Sequence, residues 1–186
     1  MFHQSISPAA EAKPRRITVM QGQAQVSNEP LVELTTILGS CVACCLFDPH
    51  SMVGGMNHFL LAEPQGSRAS GQFDEHYGVY LMEVLINDMM ARGASKLSMK
   101  AHLYGGANLH AGMAKIGTAN ATFALQFLQR ERIVLAHQDL GGTQARRVDF
   151  LPARGKARCR AVADTMAPAV RPAPRPTRDM GDVELF

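Results

Sequence analysis

Cys41-Val42-Ala43-Cys44-Cys45-Leu46-Phe47, closed by Asp48-Pro49-His50, is the stretch that decides the fold of this 186-residue chain. An almost uninterrupted apolar run of this kind reads as a buried central strand, and the Asp-Pro pair supplies the turn that stops it. Residues 31–38 precede it as a strand, and residues 52–61 return after it as another. Gly54-Gly55 in the returning segment marks a bulge or a close backbone approach of the kind a functional groove needs.

Working outward, Tyr77, Leu81, Val84, Leu85 and Met89 follow the spacing of an amphipathic helix over residues 77–92, with Gly93 placed to end it. Leu97, Met99, Ala101 and Leu103 alternate with Ser98, Lys100 and His102, a half-buried strand that runs into Tyr104-Gly105-Gly106-Ala107-Asn108. Asn120 is suited to cap a second helix whose inner face carries Phe123, Phe127 and Leu128, and residues 133–136 follow as a short strand. Residues 146–151 and 157–162 flank Pro152-Ala153-Arg154-Gly155 as an antiparallel hairpin. Ile17 and Val19 begin the patterned region. Strands outnumber helices without strict alternation, so the expected class is α+β: a layered α/β sandwich with a mixed, largely antiparallel sheet and two main helices. One domain is expected over residues 16–163, between a disordered segment at 1–15 and a flexible Pro/Ala/Arg-rich tail at 164–186.

Composition narrows the function. With 46% hydrophobic and 19% charged residues the chain reads as globular, and the net charge is only +3. Much of the basic excess lies late, in Arg154, Lys156, Arg158, Arg160, Arg171, Arg175 and Arg178. There is no tryptophan and there are three tyrosines, so no aromatic platform for stacking bases accompanies those charges, and no nucleic-acid partner is expected. The first residues lack the apolar core of a secretory signal, and no apolar run approaches the roughly 20 residues that span a bilayer. A cytoplasmic protein without direct membrane insertion is expected, with its cysteines reduced.

Gly39-Ser40-Cys41 sits where one strand ends and the buried one begins, and a glycine there lets the backbone bend and present the next side chain. A thiol attacks as thiolate, so it needs a neighbour that brings its pKa below about 8.5. His58 lies on the strand that follows directly, and consecutive strands usually pair. Thr35, on the preceding strand, offers a hydroxyl to fix the imidazole tautomer. Each residue also has an ordinary reading, since a buried cysteine packs as a small hydrophobe and a buried histidine need only be satisfied. Cys41 and Cys44 form a C-x-x-C spacing that elsewhere serves redox chemistry or zinc. A strand places them on opposite faces, however, and no second pair completes a tetrahedral site. No metal is expected. Cys44, Cys45 and Cys159 read as packing residues, and His102 and His110 as structural or surface ones.

Residues 38–43 as Leu-Gly-Ser-Cys-Val-Ala, then Cys45-Leu46-Phe47-Asp48-Pro49 and Gly54-Gly55-Met56-Asn57-His58-Phe59-Leu60-Leu61, closely resemble the CheD family of chemoreceptor glutamine deamidases. The resemblance continues through Tyr104-Gly105-Gly106-Ala107-Asn108, Ile116-Gly117, Asn120, Asp139-Leu140-Gly141-Gly142 and Arg146-Arg147-Val148. It implies Cys41 as nucleophile, His58 as its base and Thr35 as the third member. Gly39, Ser40 and Asn57 are candidates for substrate or oxyanion contacts. The resemblance also implies hydrolysis of glutamine to glutamate on the cytoplasmic helical bundle of methyl-accepting chemotaxis receptors, with no cofactor. A CheC-type phosphatase is an implied further partner, and a non-catalytic role regulating it is the alternative function. Cys44, where the family commonly has an aliphatic residue, and Gln23-Ala24-Gln25, which lacks the aromatic often found there, depart from the pattern.

Overall fold

A computed structural model of the chain describes residues 13–61, 75–109 and 114–162. Of the expected N-terminal segment only residues 13–15 are described, and Arg15 already opens a strand. The expected tail at 164–186 and His110 lie outside the described residues.

β1 (Arg15–Thr18) leads to β2 (Gln23–Ser27), β3 (Val32–Leu38) leads to β4 (Val42–Asp48), and β4 turns back into β5 (Val53–Phe59). Then come α1 (His76–Ala91), β6 (Lys100–Gly105), α2 (Ala114–Arg130), β7 (Val134–Leu140), β8 (Arg146–Leu151) and β9 (Lys156–Ala161). The strands sort into two sheets, one in the order β1-β3-β8-β9 and the other β2-β5-β4-β6-β7. β1 with β3 and β6 with β7 pair in parallel, and the other neighbours are antiparallel.

β4 is the middle of the five-stranded sheet. Successive side chains of a strand point to opposite faces, so β4 feeds two cores. Val42, Cys44 and Leu46 pack with Leu81, Leu85 and Met89 of α1 and Phe123 of α2. Ala43 and Cys45 pack with Leu34, Leu38, Val148 and Phe150 of the four-stranded sheet. Residues 42–46 are therefore at most 1% exposed, which is why the run admits no polar side chain. On the helix side Phe59 meets Phe123 edge to face at 5.5 Å between ring centres. Truncating Leu46 or Phe59 to alanine costs roughly 2–5 kcal/mol.

Asp48 ends β4 as a buried turn anchor. It accepts from the His50 and Ser95 N–H groups at 2.9 Å each and from the Ser51 and Ser98 hydroxyls at 2.9 and 2.8 Å. Burial alone pushes its carboxyl pKa up, but these donors outweigh it and hold the group far below the usual carboxylate range.

The layered α+β sandwich forms as expected, with its strands divided between two stacked sheets. One strand is added to those expected, and three local expectations change. β2 is a strand that the alternating Ala24 and Val26 only faintly announce. Leu97 belongs to a 3-10 turn at Lys96–Ser98 and is 98% exposed, so the strand begins at Lys100. The strand expected at residues 133–136 extends to Leu140. Asn120 does not cap a helix, since α2 starts at Ala114 and carries Asn120 inside it, fully buried. No helix among the described residues is long and apolar enough to cross a membrane.

Candidate active site

Topology brings three segments to one end of the sandwich. The chain crosses from the four-stranded to the five-stranded sheet twice, after β1 through residues 19–22 and after β3 through residues 39–41. Because β1 and β3 are parallel, both crossings fall at the same end. β5 runs antiparallel to β4, so its last residues return to that end as well, with Ala43 opposite His58. Cys41 lies two residues before Ala43 and packs on the same sandwich core. Cys41, in the crossover loop just before β4, thus packs toward the same sandwich side of the sheet that His58 faces.

The cysteine loop rests on a backbone shelf. The Gly106 N–H donates to the Cys41 carbonyl at 2.7 Å and the Ala107 N–H to the Gly39 carbonyl at 2.8 Å. Gly105, at φ +109°, lies so close that a β-carbon would sit 2.1 Å from the Cys41 oxygen, so only glycine fits. Asn120 completes the support by donating to the Ser40 carbonyl at 3.0 Å and to the Ile116 carbonyl at 2.9 Å, while accepting the Leu61 N–H at 2.7 Å. Gly39 and Ser40 therefore shape the loop that carries Cys41.

His58 is 6% exposed. Its Nδ1 lies 2.9 Å from the Thr36 hydroxyl and 3.4 Å from the Val19 carbonyl. The same hydroxyl donates to the Val19 carbonyl at 2.8 Å. With its one proton so committed, Thr36 faces the ring as an acceptor, and Val19's oxygen can only accept. The network therefore assigns the proton to Nδ1 and leaves Nε2 with a bare lone pair. Nε2 is buried without a hydrogen-bond partner. Burial lowers the His58 pKa below 6.5, opposed in part by the Val19 contact, so the ring is neutral near pH 7. Burial also raises the Cys41 thiol, partly offset by its own backbone N–H. At rest the thiol and the imidazole are both neutral, and the imidazole's free nitrogen is the basic one.

Two candidate residues lie elsewhere. Thr35 is not brought to His58, because strand alternation turns it to the opposite face of β3, where its hydroxyl donates to Asp149 at 2.8 Å. Thr36 meets the imidazole in its place. Asn57 lies on the other face of β5 from His58 for the same reason. Facing the helices, its carboxamide accepts the Cys44 N–H at 3.0 Å and donates to the Leu81 carbonyl at 3.2 Å. Cys44 likewise faces the helix core while Cys41 faces the sandwich. No group of three His, Cys, Asp or Glu side chains among the described residues is arranged to hold a metal ion. Thr36, Gly105 and Asn120 were not singled out from the sequence as parts of the site. Only Thr36 had a local signal, its shared parity with buried Leu34 and Leu38.

This fold and site define a class: a helix-backed double sheet whose crossover end carries a cysteine thiol and a buried imidazole with one unpartnered nitrogen. Comparison with known proteins makes it specific. A family model described as CheD chemotactic sensory transduction matches residues 60–161. A protein of Zymomonas mobilis named "Probable chemoreceptor glutamine deamidase CheD" is 54% identical over 92% of this chain and 93% of its own length. Proteins of the same name from Caulobacter vibrioides and Agrobacterium fabrum are 47% and 41% identical, over 92% and 95% of this chain and 93% and 99% of theirs. The chain belongs to the CheD family. Among solved structures, Neisseria meningitidis protein NMB0706 aligns at 14% identity over 70% of this chain and 63% of that one with a TM-score of 0.40, too slight a likeness to inform the site.

Proposed function

We propose that the protein is a cytoplasmic glutamine deamidase that converts glutamine side chains of methyl-accepting chemotaxis receptors to glutamate and releases ammonia. The observation that carries this reading is the bare, buried Nε2 of His58 on the sandwich side of the sheet, where Cys41 also packs. The names of the relatives supply the substrate class.

In the first half-reaction His58 Nε2 takes the thiol proton as Cys41 Sγ bonds to the carboxamide carbon, so no free thiolate has to persist. Charge develops on the amide oxygen, and the Cys41 backbone N–H at the mouth of its loop is the proposed donor to it. One such donor is worth about 10²–10³ in rate. The imidazolium then protonates the departing nitrogen, ammonia leaves, and a thioester remains. Water, deprotonated by the same Nε2, attacks the thioester and returns glutamate and thiol. The Thr36 hydroxyl, not that of Thr35, holds the ring in the required tautomer.

Incubating the protein with purified cytoplasmic receptor fragments and mapping amide-to-acid conversion by mass spectrometry, with ammonia measured in parallel, tests the reading. Conversion by the wild type and none by Cys41→Ala is expected. Undiminished conversion by Cys41→Ala would overturn the nucleophile assignment. No conversion on any receptor fragment, alongside altered activity of a CheC-type phosphatase, would favour the regulatory role.

A further inference from the structure

The Cys41 thiol already has a partner. Its Sγ donates to Oε1 of Gln21 at 3.4 Å, so a glutamine carboxamide of this chain itself lies against the sulfur.

The backbone of Gln21 is set in place by the site. Met20, Gln21, Gly22 and Gln23 form a tight turn closed by the Gln23 N–H on the Met20 carbonyl at 3.0 Å. Gly22, third in the turn, has φ +85°, as a type II turn requires of that position. The Gly22 N–H donates to the carbonyl of His58 at 2.8 Å. On the other side, the Val19 carbonyl receives the Thr36 hydroxyl. The turn is thereby pinned to the imidazole's own residue and to its orienting hydroxyl, and Gln21 stands at its corner with an exposed side chain.

We propose that Gln21 is an internal competitor, its carboxamide resting in the subsite that receives the carboxamide of a substrate glutamine and leaving before the substrate enters. This rests on the reading of Cys41 as the nucleophile. The two carboxamides are the same functional group, so whatever accepts one accepts the other. Gln21 nevertheless survives there, because the thiol meets its oxygen. Carbon–sulfur bond formation needs the sulfur over the carbonyl carbon, with the oxygen turned toward hydrogen-bond donors. While the thiol proton points at Gln21, His58 Nε2 has no partner, and the thiol and imidazole remain uncoupled. A glutamine presented by a docked receptor helix displaces Gln21 because docking adds binding energy from outside the subsite. A free amide has no such help.

Alkylation of Cys41 by iodoacetamide, itself a small carboxamide, tests this in the full-length protein, with the modified residue identified by mass spectrometry. Gln21→Ala is expected to alkylate about two- to fivefold faster than wild type, the worth of one weak, exposed hydrogen bond. Gln21→Glu is expected to alkylate more slowly than wild type, since a carboxylate beside the sulfur opposes thiolate formation. On a receptor fragment, kcat/KM of Gln21→Ala rises by a similar factor through a lower KM. Unchanged or slower alkylation of Gln21→Ala overturns the proposal. So does a fall in kcat, which would make Gln21 a transition-state contact. The alkylation rates need no deamidase turnover, so failure of the enzymatic reading, seen as no ammonia from wild type, stands apart from failure of this one.

Discussion

Asn57 and His58 are neighbours in sequence and both are buried, yet they serve opposite halves of the molecule. Asn57 looks toward the helices, and its carboxamide is satisfied from both ends by Cys44 and Leu81. His58 looks into the sandwich, where Nδ1 is held and Nε2 is left over, one of three buried polar side-chain atoms without a partner among the described residues. On the helix face polar groups are consumed in holding strands and helices together. On the sandwich face one is kept in reserve, at the desolvation cost such a group carries.

The largest effect separates the two faces outright. His58→Ala is expected to lower kcat on receptor fragments by about 10²–10⁴, the usual worth of a general base, with little loss of stability. Asn57→Ala is expected to do the reverse. Urea unfolding would show a loss of about 1–3 kcal/mol for the stranded Cys44 N–H, while turnover per folded molecule persists. Equal effects on activity from the two variants would collapse the distinction.

Acid sharpens it next. On the proposed mechanism neutral His58 is the working form, and burial lowers its pKa below 6.5. The rate should therefore hold through neutral pH and fall about tenfold per pH unit only below a midpoint under 6.5. The linked stability has the same sign. The unfolded chain takes up this proton first, so the contribution is complete above the unfolded pKa and is lost as pH falls through the folded one. A pH–rate profile for the wild type, with the acid limb missing from the residual activity of His58→Ala, checks both sign and assignment.

The smallest effect divides two adjacent threonines. Thr36→Val is expected to reduce kcat about three- to tenfold, the value of one hydrogen bond, with Thr36→Ser restoring most of it. Thr35→Val should spare kcat and show instead in thermal unfolding, because its hydroxyl serves Asp149. If Thr35→Val carried the kinetic loss and Thr36→Val did not, the imidazole would have to be oriented otherwise than the network here assigns.

Most of the central architecture was readable in the chain because its signals are local. The apolar run of β4, the turn at Asp48 and the return of β5 declare themselves over about twenty residues. The opposite facing of Cys41 and Cys44 follows from the period of a strand. The division into two sheets was not readable, since it depends on β3 pairing with β8, which has no local signature. Asn120 looked like a helix cap because its residue type favours caps, and only tertiary contacts reveal it as a buried clamp. Thr35 and Thr36 differ by a single step of alternation. The family resemblance favoured one, while the parity of Leu34 and Leu38 favoured the other. Gln21 belongs to no pattern at all.

The clamp made by Asn120 also bears on the order of events during folding. It joins the Ser40 carbonyl across 80 residues and the Leu61 amide across 59, so these bonds close only after α2 has docked. Contacts of such separation are made late, when most of the chain's entropy has already been lost. A chain still emerging from the ribosome therefore carries Cys41 as an ordinary thiol. The loop that carries it acquires its shape only with residues 105–120, more than sixty positions further along the chain.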